Sequence, residues 1–164
     1  MANNVELFQR GYAYYNDGDY SKAIEEITKA INMDINTPSD ILAPMYGIRG
    51  LSYKDRGNKN NDTNDYNSAI ADFTKMIQLF PNAIGYRNRG VLYGWTGQGH
   101  LSIPDFNSAL SLNPNDAEAY IHRGIKYGAN GNINQAISDW QAALRIDPDN
   151  SVAKGLLEQA RKAM

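Results

Sequence analysis

Apolar residues and glycines recur along the chain at fixed spacings, and the same pattern occurs four times. Each copy has a large residue, a glycine four places later and a tyrosine three places after the glycine. The four sets are Leu7, Gly11 and Tyr14; Tyr46, Gly50 and Tyr53; Tyr86, Gly90 and Tyr93; and Tyr120, Gly124 and Tyr127. Because residues at i, i+4 and i+7 share one face of an α-helix, each set predicts the buried face of a helix.

A second helix is predicted after each of these first helices, from a small residue that is followed four places later by a large one. The pairs are Ala23 and Ile27, Ala69 and Phe73, Ser102 and Phe106, and Ala136 and Trp140. A glycine inside a helix costs about 1 kcal/mol relative to alanine. Its recurrence on the apolar face therefore indicates that the second helix packs closely against the first.

The ends of the helices are also marked in the sequence. A second glycine follows the first by seven residues in every copy, and it predicts the end of the first helix, because glycine readily adopts the left-handed conformation found there. These glycines are Gly18, Gly57, Gly97 and Gly131. Proline ends the second helix of the last three copies, whereas Ile35 stands at that place in the first copy.

The copies are unevenly spaced. Gly90 and Gly124 are 34 residues apart, but the two earlier intervals are 39 and 40 residues. The extra residues are 38–42, between the first two copies, and 59–65, inside the second copy, and both segments are predicted to lengthen loops. The 59–65 loop is polar, so we expect a mobile surface insertion, with a docking role as the alternative.

A helix pair of this kind cannot bury its apolar face alone, so successive pairs are expected to stack. The sequence therefore predicts one all-α domain over residues 1–164, an α-solenoid of four antiparallel helix pairs followed by a capping helix. The predicted pairs cover approximately residues 4–37, 43–82, 83–116 and 117–150, and the cap covers 151–164.

Composition narrows the functions that this architecture can have. The net charge is −2 and the chain has no cysteine, which excludes disulfides and thiolate metal sites. Near-neutral charge offers no general attraction to nucleic acid. The two histidines lack neighbouring ligands, so neither a metal nor a cofactor is predicted. The absence of a signal peptide pattern and of a long apolar run predicts a cytoplasmic protein that does not insert in membranes.

An arginine precedes the first glycine in all four copies, and an acidic residue lies on each second helix. The arginines are Arg10, Arg49, Arg89 and Arg123, and the acids are Glu26, Asp72, Asp105 and Asp139. A ladder of arginines is one form of phosphate-binding stripe. Because each arginine has an acid in the same copy, we predict ion pairs within the stack instead.

The four copies resemble the tetratricopeptide repeat. The last copy carries that pattern in Tyr120, Gly124, Tyr127, Ala136, Trp140, Ala143 and Pro148, and the other copies match it over nearly the whole chain. The resemblance implies a right-handed superhelix whose concave groove is lined mainly by first helices. The implied groove residues are Phe8, Tyr12, Tyr15, Leu51, Lys54, Arg87, Asn88, Val91, Trp95, Ile121, His122 and Ile125.

Function follows from the resemblance and not from a chemical motif, because no catalytic constellation is present. We expect a non-enzymatic scaffold or adaptor that binds a protein or peptide partner in the groove. Self-association into a homo-oligomer is the alternative, and RNA binding is less favoured because the groove is not basic. Within the groove, Trp95 is interpreted either as an anchor for a peptide or as packing against a neighbouring helix. The aromatic residues Phe8, Tyr12 and Tyr15 are interpreted as a groove wall or as a contact with a second copy.

Some members of this family bind the C-terminal carboxylate of a chaperone through a clamp of lysine, asparagine and arginine side chains. In the first three repeats the corresponding residues are Phe8, Tyr12, Ile48, Ile84 and Asn88, and in the last three they are Gly47, Leu51, Asn88, Glu118 and His122. Only Asn88, in the second of these sets, matches the clamp. The sequence therefore predicts a groove that does not bind partners in this way.

Overall fold

The computed structural model describes residues 3–33 and 36–162, and within these residues it is all-α. Nine helices follow one another, with one short 3-10 turn at Gly99–Leu101. Their bounds are α1 Asn4–Asn16, α2 Tyr20–Met33, α3 Ser39–Asn60, α4 Thr63–Leu79, α5 Ala83–Trp95, α6 Ser102–Leu112, α7 Ala117–Ala129, α8 Ile133–Ile146 and α9 Ser151–Lys162. The predicted succession of four helix pairs and a final helix is confirmed.

Packing runs along the chain, as expected for a solenoid. Each helix packs mainly against the helices next to it in sequence, and α9 packs on α8. The core is accordingly a series of small clusters between successive helices, such as Ile27 with Met45, or Phe73 with Leu92. The apolar side of α9 closes the series, because Leu157 packs on Trp140 while the opposite side carries charged residues.

The glycines of the first helices allow the close helix approach that the sequence predicts. A Cβ atom at Gly124 would lie 2.5 Å from Nε1 of Trp140, and one at Gly90 would lie 2.9 Å from Cε1 of Phe106. The glycine after the first helix adopts a positive φ in three of the four repeats, at 76° in Gly18, 78° in Gly97 and 80° in Gly131. The predicted helix ends are confirmed at these three positions.

Repeat two departs from the prediction at its inner turn. Helix α3 continues through Gly57 to Asn60, and Asn61 makes the left-handed turn with φ 53° before α4 begins at Thr63. The predicted loop at 59–65 is therefore wrong, because most of its residues extend the two helices. Two contacts explain the extension. Arg56 and Asp65 form a two-fold hydrogen-bonded pair at 2.8 and 2.6 Å, and the ring of Tyr66 packs on Gly57.

The other irregular segment is also helical. Pro38 occupies the N-cap of α3, and residues 39–42 add one turn to the start of that helix. The expectation that 38–42 lengthens a loop is therefore wrong. Ile35, which stands in place of the proline that ends other second helices, lies outside the described residues.

Candidate functional site

Side chains from three first helices and the start of α9 surround one concave pocket of about 400 Å³. Eight of the predicted groove residues line it: Lys54, Arg87, Asn88, Val91, Trp95, Ile121, His122 and Ile125. Glu118, Asn150 and Val152 also line it and were not predicted. Val152 is the second residue of α9, a position that faces the groove in the register of a first helix. Extending the groove pattern into the capping helix would have identified it.

The charged groups of the pocket are already paired within the protein. Arg87 donates to both carboxylate oxygens of Asp116, at 2.8 and 3.0 Å, and lies 3.2 Å from a carboxylate oxygen of Glu118. Asp116 is buried and also accepts the N–H of Ala119, which caps α7. The pocket therefore offers little unpaired positive charge on the side formed by Arg87.

Lys54, which also lines the pocket, is held in a similar way. Its Nζ lies 3.3 Å from Oδ1 of Asn88 and 3.7 Å from a carboxylate oxygen of Asp55. Asn88 is itself buried and donates from Nδ2 to the carbonyl of Ile84. These bonds fix the orientation of the Asn88 amide, so the pocket contains a preorganised polar group beside apolar side chains.

His122 lies on the pocket wall with its ring stacked on Phe106, at 6.1 Å between centroids. Burial lowers the pKa of His122 below its ordinary value, while the carboxylate of Glu118 acts in the opposite direction. The imidazole is therefore neutral at pH 7, and it has one N–H donor and one nitrogen acceptor.

Trp95, Ile125 and Val152 supply the exposed apolar surface of the pocket. Trp95 is 50% exposed, although one side of its ring contacts Tyr66 at 5.4 Å between centroids. Trp95 therefore packs against a neighbouring helix, α4, and also lines the pocket. Ile125 is 38% exposed and Val152 is 55% exposed, so three large apolar side chains are open to solvent at the pocket.

Four predicted groove residues lie away from this pocket. Phe8 is half-buried against the core cluster of Leu7 and Ile27, and Tyr12 is 46% exposed. Tyr15 donates its hydroxyl to Asp55 at 3.0 Å, and burial together with this carboxylate raises the pKa of Tyr15 to about 12. Leu51 packs on the Phe73 cluster. The pocket therefore does not include the proposed N-terminal aromatic wall.

The predicted arginine–acid ladder is confirmed. Arg49, Arg89 and Arg123 each form two hydrogen bonds of 2.7–2.8 Å with the acid on the second helix of the same repeat. Arg10 pairs with Glu26. Hydrogen bonding to the acid raises the pKa of Arg89 and Arg123 above the ordinary arginine value. The arginines of the stack thus have structural partners and do not form an open phosphate-binding stripe.

The arginines of repeats two to four, which we call the inner arginines, each join two repeats. A third hydrogen bond runs from its Nη1 to the second helix of the preceding repeat: to Thr28 from Arg49, to Thr74 from Arg89, and to Asn107 from Arg123. A tyrosine ring of the same repeat lies 5.4–5.6 Å from each guanidinium carbon. The ladder therefore contributes to the stacking that shapes the groove.

The described residues contain neither a metal-binding cluster nor a helix that could span a membrane. Within 3–33 and 36–162, no group of three or more histidine, aspartate or glutamate side chains is arranged to bind a metal ion. Over the same ranges, no helix combines the length and the apolar character needed to cross a bilayer.

Two segments of the chain match models of a known protein family. One model of the tetratricopeptide repeat matches residues 117–150, and a second matches residues 5–36. Small glutamine-rich tetratricopeptide repeat-containing protein 2 of Saccharomyces cerevisiae is 33% identical over 92 residues, which are 56% of this chain and 26% of that protein. The chain spans between 9% and 26% of the length of the curated relatives it matches.

Solved structures agree with the sequence comparison. The crystal structure of MamA superimposes with a TM-score of 0.79 and 23% identity, over 93% of this chain and 83% of MamA. The first tetratricopeptide-repeat domain of Spaghetti (RPAP3), solved with the HSP90 peptide SRMEEVD, has a TM-score of 0.61 and 28% identity, over 71% of this chain and 96% of that domain. The expected α-solenoid is confirmed, and the chain belongs to the tetratricopeptide-repeat family.

Proposed function

We propose that this chain is a non-catalytic interaction module that binds a segment of a partner protein in its concave groove. The observation that supports this most directly is the pocket between α3, α5, α7 and α9, where exposed Trp95 and Ile125 lie next to oriented polar groups. Binding sites for protein segments combine buried aromatic anchors with a polar rim in this way. The neutral His122 and the fixed Asn88 amide supply hydrogen-bonding groups for a peptide backbone.

The partner differs in kind from the acidic peptide of the RPAP3 structure. The places of the carboxylate clamp are occupied here by Gly47, Leu51, Asn88, Glu118 and His122. The exposed carboxylate of Glu118 would repel a terminal carboxylate, and Arg87 is already paired with two acids. We therefore propose a partner segment that contacts the groove mainly through apolar and aromatic side chains.

Affinity capture with groove variants tests this proposal. Trp95→Ala combined with Ile125→Ala removes two of the three large apolar side chains exposed in the pocket, and both are exposed enough for the fold to persist. The matched control is Ile133→Ala with Ile146→Ala on α8, where the side chains are 40% and 36% exposed and lie outside the pocket. Partners captured from the source cell by the wild type and the control, but lost from the groove variant, support the proposal.

Equal capture by the groove variant and the wild type would contradict it, provided that circular dichroism shows both variants to be folded. Self-association stays a prediction that light scattering on the wild type tests directly.

A further inference from the structure

A second concave surface lies between repeats two and three, and it differs in chemistry from the groove pocket. Two adjoining chambers of about 290 and 230 Å³ share Pro44, Met76 and Ile84 as lining residues. One chamber reaches Leu51 on the groove side, and the other opens beside Phe80 at the end of α4. We call the two chambers together the apolar cleft.

The irregular segment at 38–42 contributes to this cleft. Residues 39–42 add a turn to α3 ahead of the apolar pattern, and Asp40 from this turn lines the outer chamber. The matching stretch before α5 is not helical, because α4 ends at Leu79 and α5 begins at Ala83. The projecting turn of α3 thus faces Phe80 and Ile84, which are 61% and 52% exposed.

The polar side chains that line the cleft are Asp40 and Asn82, and both belong to the outer chamber. Asn82 is occupied, since its Nδ2 donates to the carbonyl of Phe80 and its Oδ1 accepts from the N–H of Gly85. Asp40 is the single ionisable residue among the described lining residues, and it is exposed and forms no ion pair within the described chain. A charged side chain inside the chambers would be desolvated without a partner, which is costly.

These features suit one kind of occupant. Each chamber is below about 300 Å³, the lower end of the range for small-molecule pockets, and therefore fits one or two side chains. A stable dimer buries about 800 Å² on each partner, whereas Phe80 and Ile84 are the only large, exposed apolar side chains among the described lining residues of the cleft. The negative charge of Asp40 at the mouth is complementary to a cation.

We propose that the apolar cleft binds a partner segment in which a large uncharged side chain is flanked by a lysine or arginine that pairs with Asp40. This inference rests on the proposed function, because the cleft opens toward the groove through Leu51, and it names the chemistry of the segment. The apolar side chain enters past Phe80 and displaces water from Ile84 and Met76. The unbranched, flexible side chain of Met76 adapts the shared wall to side chains of different shape.

Selection from a phage-displayed library of random short peptides tests the proposal with the full chain. Wild-type protein is expected to enrich peptides that combine leucine, phenylalanine or methionine with an adjacent basic residue. Affinities of the enriched peptides are then measured by fluorescence polarisation for Ile84→Gln and Asp40→Lys. Ile133→Gln and Asp17→Lys, which are exposed substitutions outside the cleft, are the matched controls.

Ile84→Gln is expected to weaken binding about tenfold, as loss of one well-buried apolar contact does. Asp40→Lys is expected to weaken binding several-fold, with a smaller effect at high salt because the pair is exposed. Enrichment of acidic peptides, or unchanged affinity for Ile84→Gln, overturns the inference.

A further variant separates the inference from the proposed function. Peptides that lose affinity for Trp95→Ala but bind Ile84→Gln as tightly as the wild type would leave the groove function intact and refute the cleft inference. If no peptide is enriched above the level of a protein-free selection, both proposals fail.

Discussion

Arg10 and Arg89 occupy the same place in their repeats, yet their surroundings differ. The side chain of Arg89 is 16% exposed and forms two hydrogen bonds with Asp105 and one with Thr74 of the preceding repeat. The side chain of Arg10 is 57% exposed and pairs with Glu26. In the described structure no helix precedes α1, so water replaces the contact that the preceding repeat supplies to Arg89.

The comparison shows that one residue pattern has different energetic consequences at different places in a stack. A buried carboxylate whose arginine is removed keeps its desolvation cost, whereas an exposed pair exchanges its partner for water. We therefore expect substitutions in the inner ladder to cost far more than the same substitutions in repeat one.

Arg89→Met is expected to have the largest effect. The side chain of Asp105 is 9% exposed, so it would remain buried as an unpaired charge. We expect the free energy of unfolding in urea at pH 7 to fall by about 3–5 kcal/mol. A loss below about 1 kcal/mol, the size typical of exposed pairs, would remove the distinction between the inner repeats and repeat one.

The double substitution Arg89→Met with Asp105→Leu sharpens the same contrast. Because both charges are removed together, no unpaired carboxylate remains, and replacement of a buried pair by apolar residues is often close to neutral. We expect a loss of about 1–2 kcal/mol, smaller than that of Arg89→Met alone. A double-mutant cycle in urea gives the coupling energy, and simple additivity of the two single changes would contradict the expectation.

Thr74→Val isolates the bond that joins repeats two and three. Valine keeps the branched shape but cannot accept the hydrogen bond from Arg89, so stability should fall by about 0.5–1.5 kcal/mol. Ser108→Ala is the control, because the Ser108 hydroxyl donates to the carbonyl of Pro104 in the same way as the Thr74 hydroxyl donates to the carbonyl of Ile70. Equal losses for the two variants would show that the bond between repeats contributes nothing of its own.

Arg10→Met is expected to have the smallest effect. The arginine is largely exposed, and Glu26, whose side chain is 12% exposed, keeps Lys29 as a second partner at 2.8 Å. The loss of such a partly solvated pair costs about 0–1 kcal/mol. We expect a change of this size in the same denaturation experiment, with a further reduction at high salt. A loss as large as that of Arg89→Met would mean that repeat one is held as tightly as the inner repeats.

The ladder also shows how far sequence reasoning reaches. Pairing of Arg89 with Asp105 was predictable, because both residues belong to one helix pair and recur at constant spacing. The bond from Arg89 to Thr74 was not predictable, because it depends on the angle and distance between successive repeats. The same limit applies to the candidate site, where the groove register identified Trp95 and His122 but missed Val152 on the capping helix.

The incorrect loop prediction has a related cause. Residues 59–65 are polar and rich in asparagine and aspartate, which favours turns in an isolated chain. Helix is nevertheless adopted because Arg56 reaches Asp65 and Tyr66 packs on Gly57, two contacts between separate helices. Local propensity was outweighed by tertiary contacts that single-sequence patterns do not reveal.

The sequence by itself determined the helix pairs, their close packing at glycine and the pairing of arginine with acid inside each repeat. These features depend on spacings within one helix pair, and helical geometry converts such spacings directly into contacts. The tertiary structure decided which groove residues meet in a pocket, how α3 is extended at both ends and where the apolar cleft opens. Those features depend on how one repeat is placed against the next, and that placement is the sum of many contacts distributed along the stack.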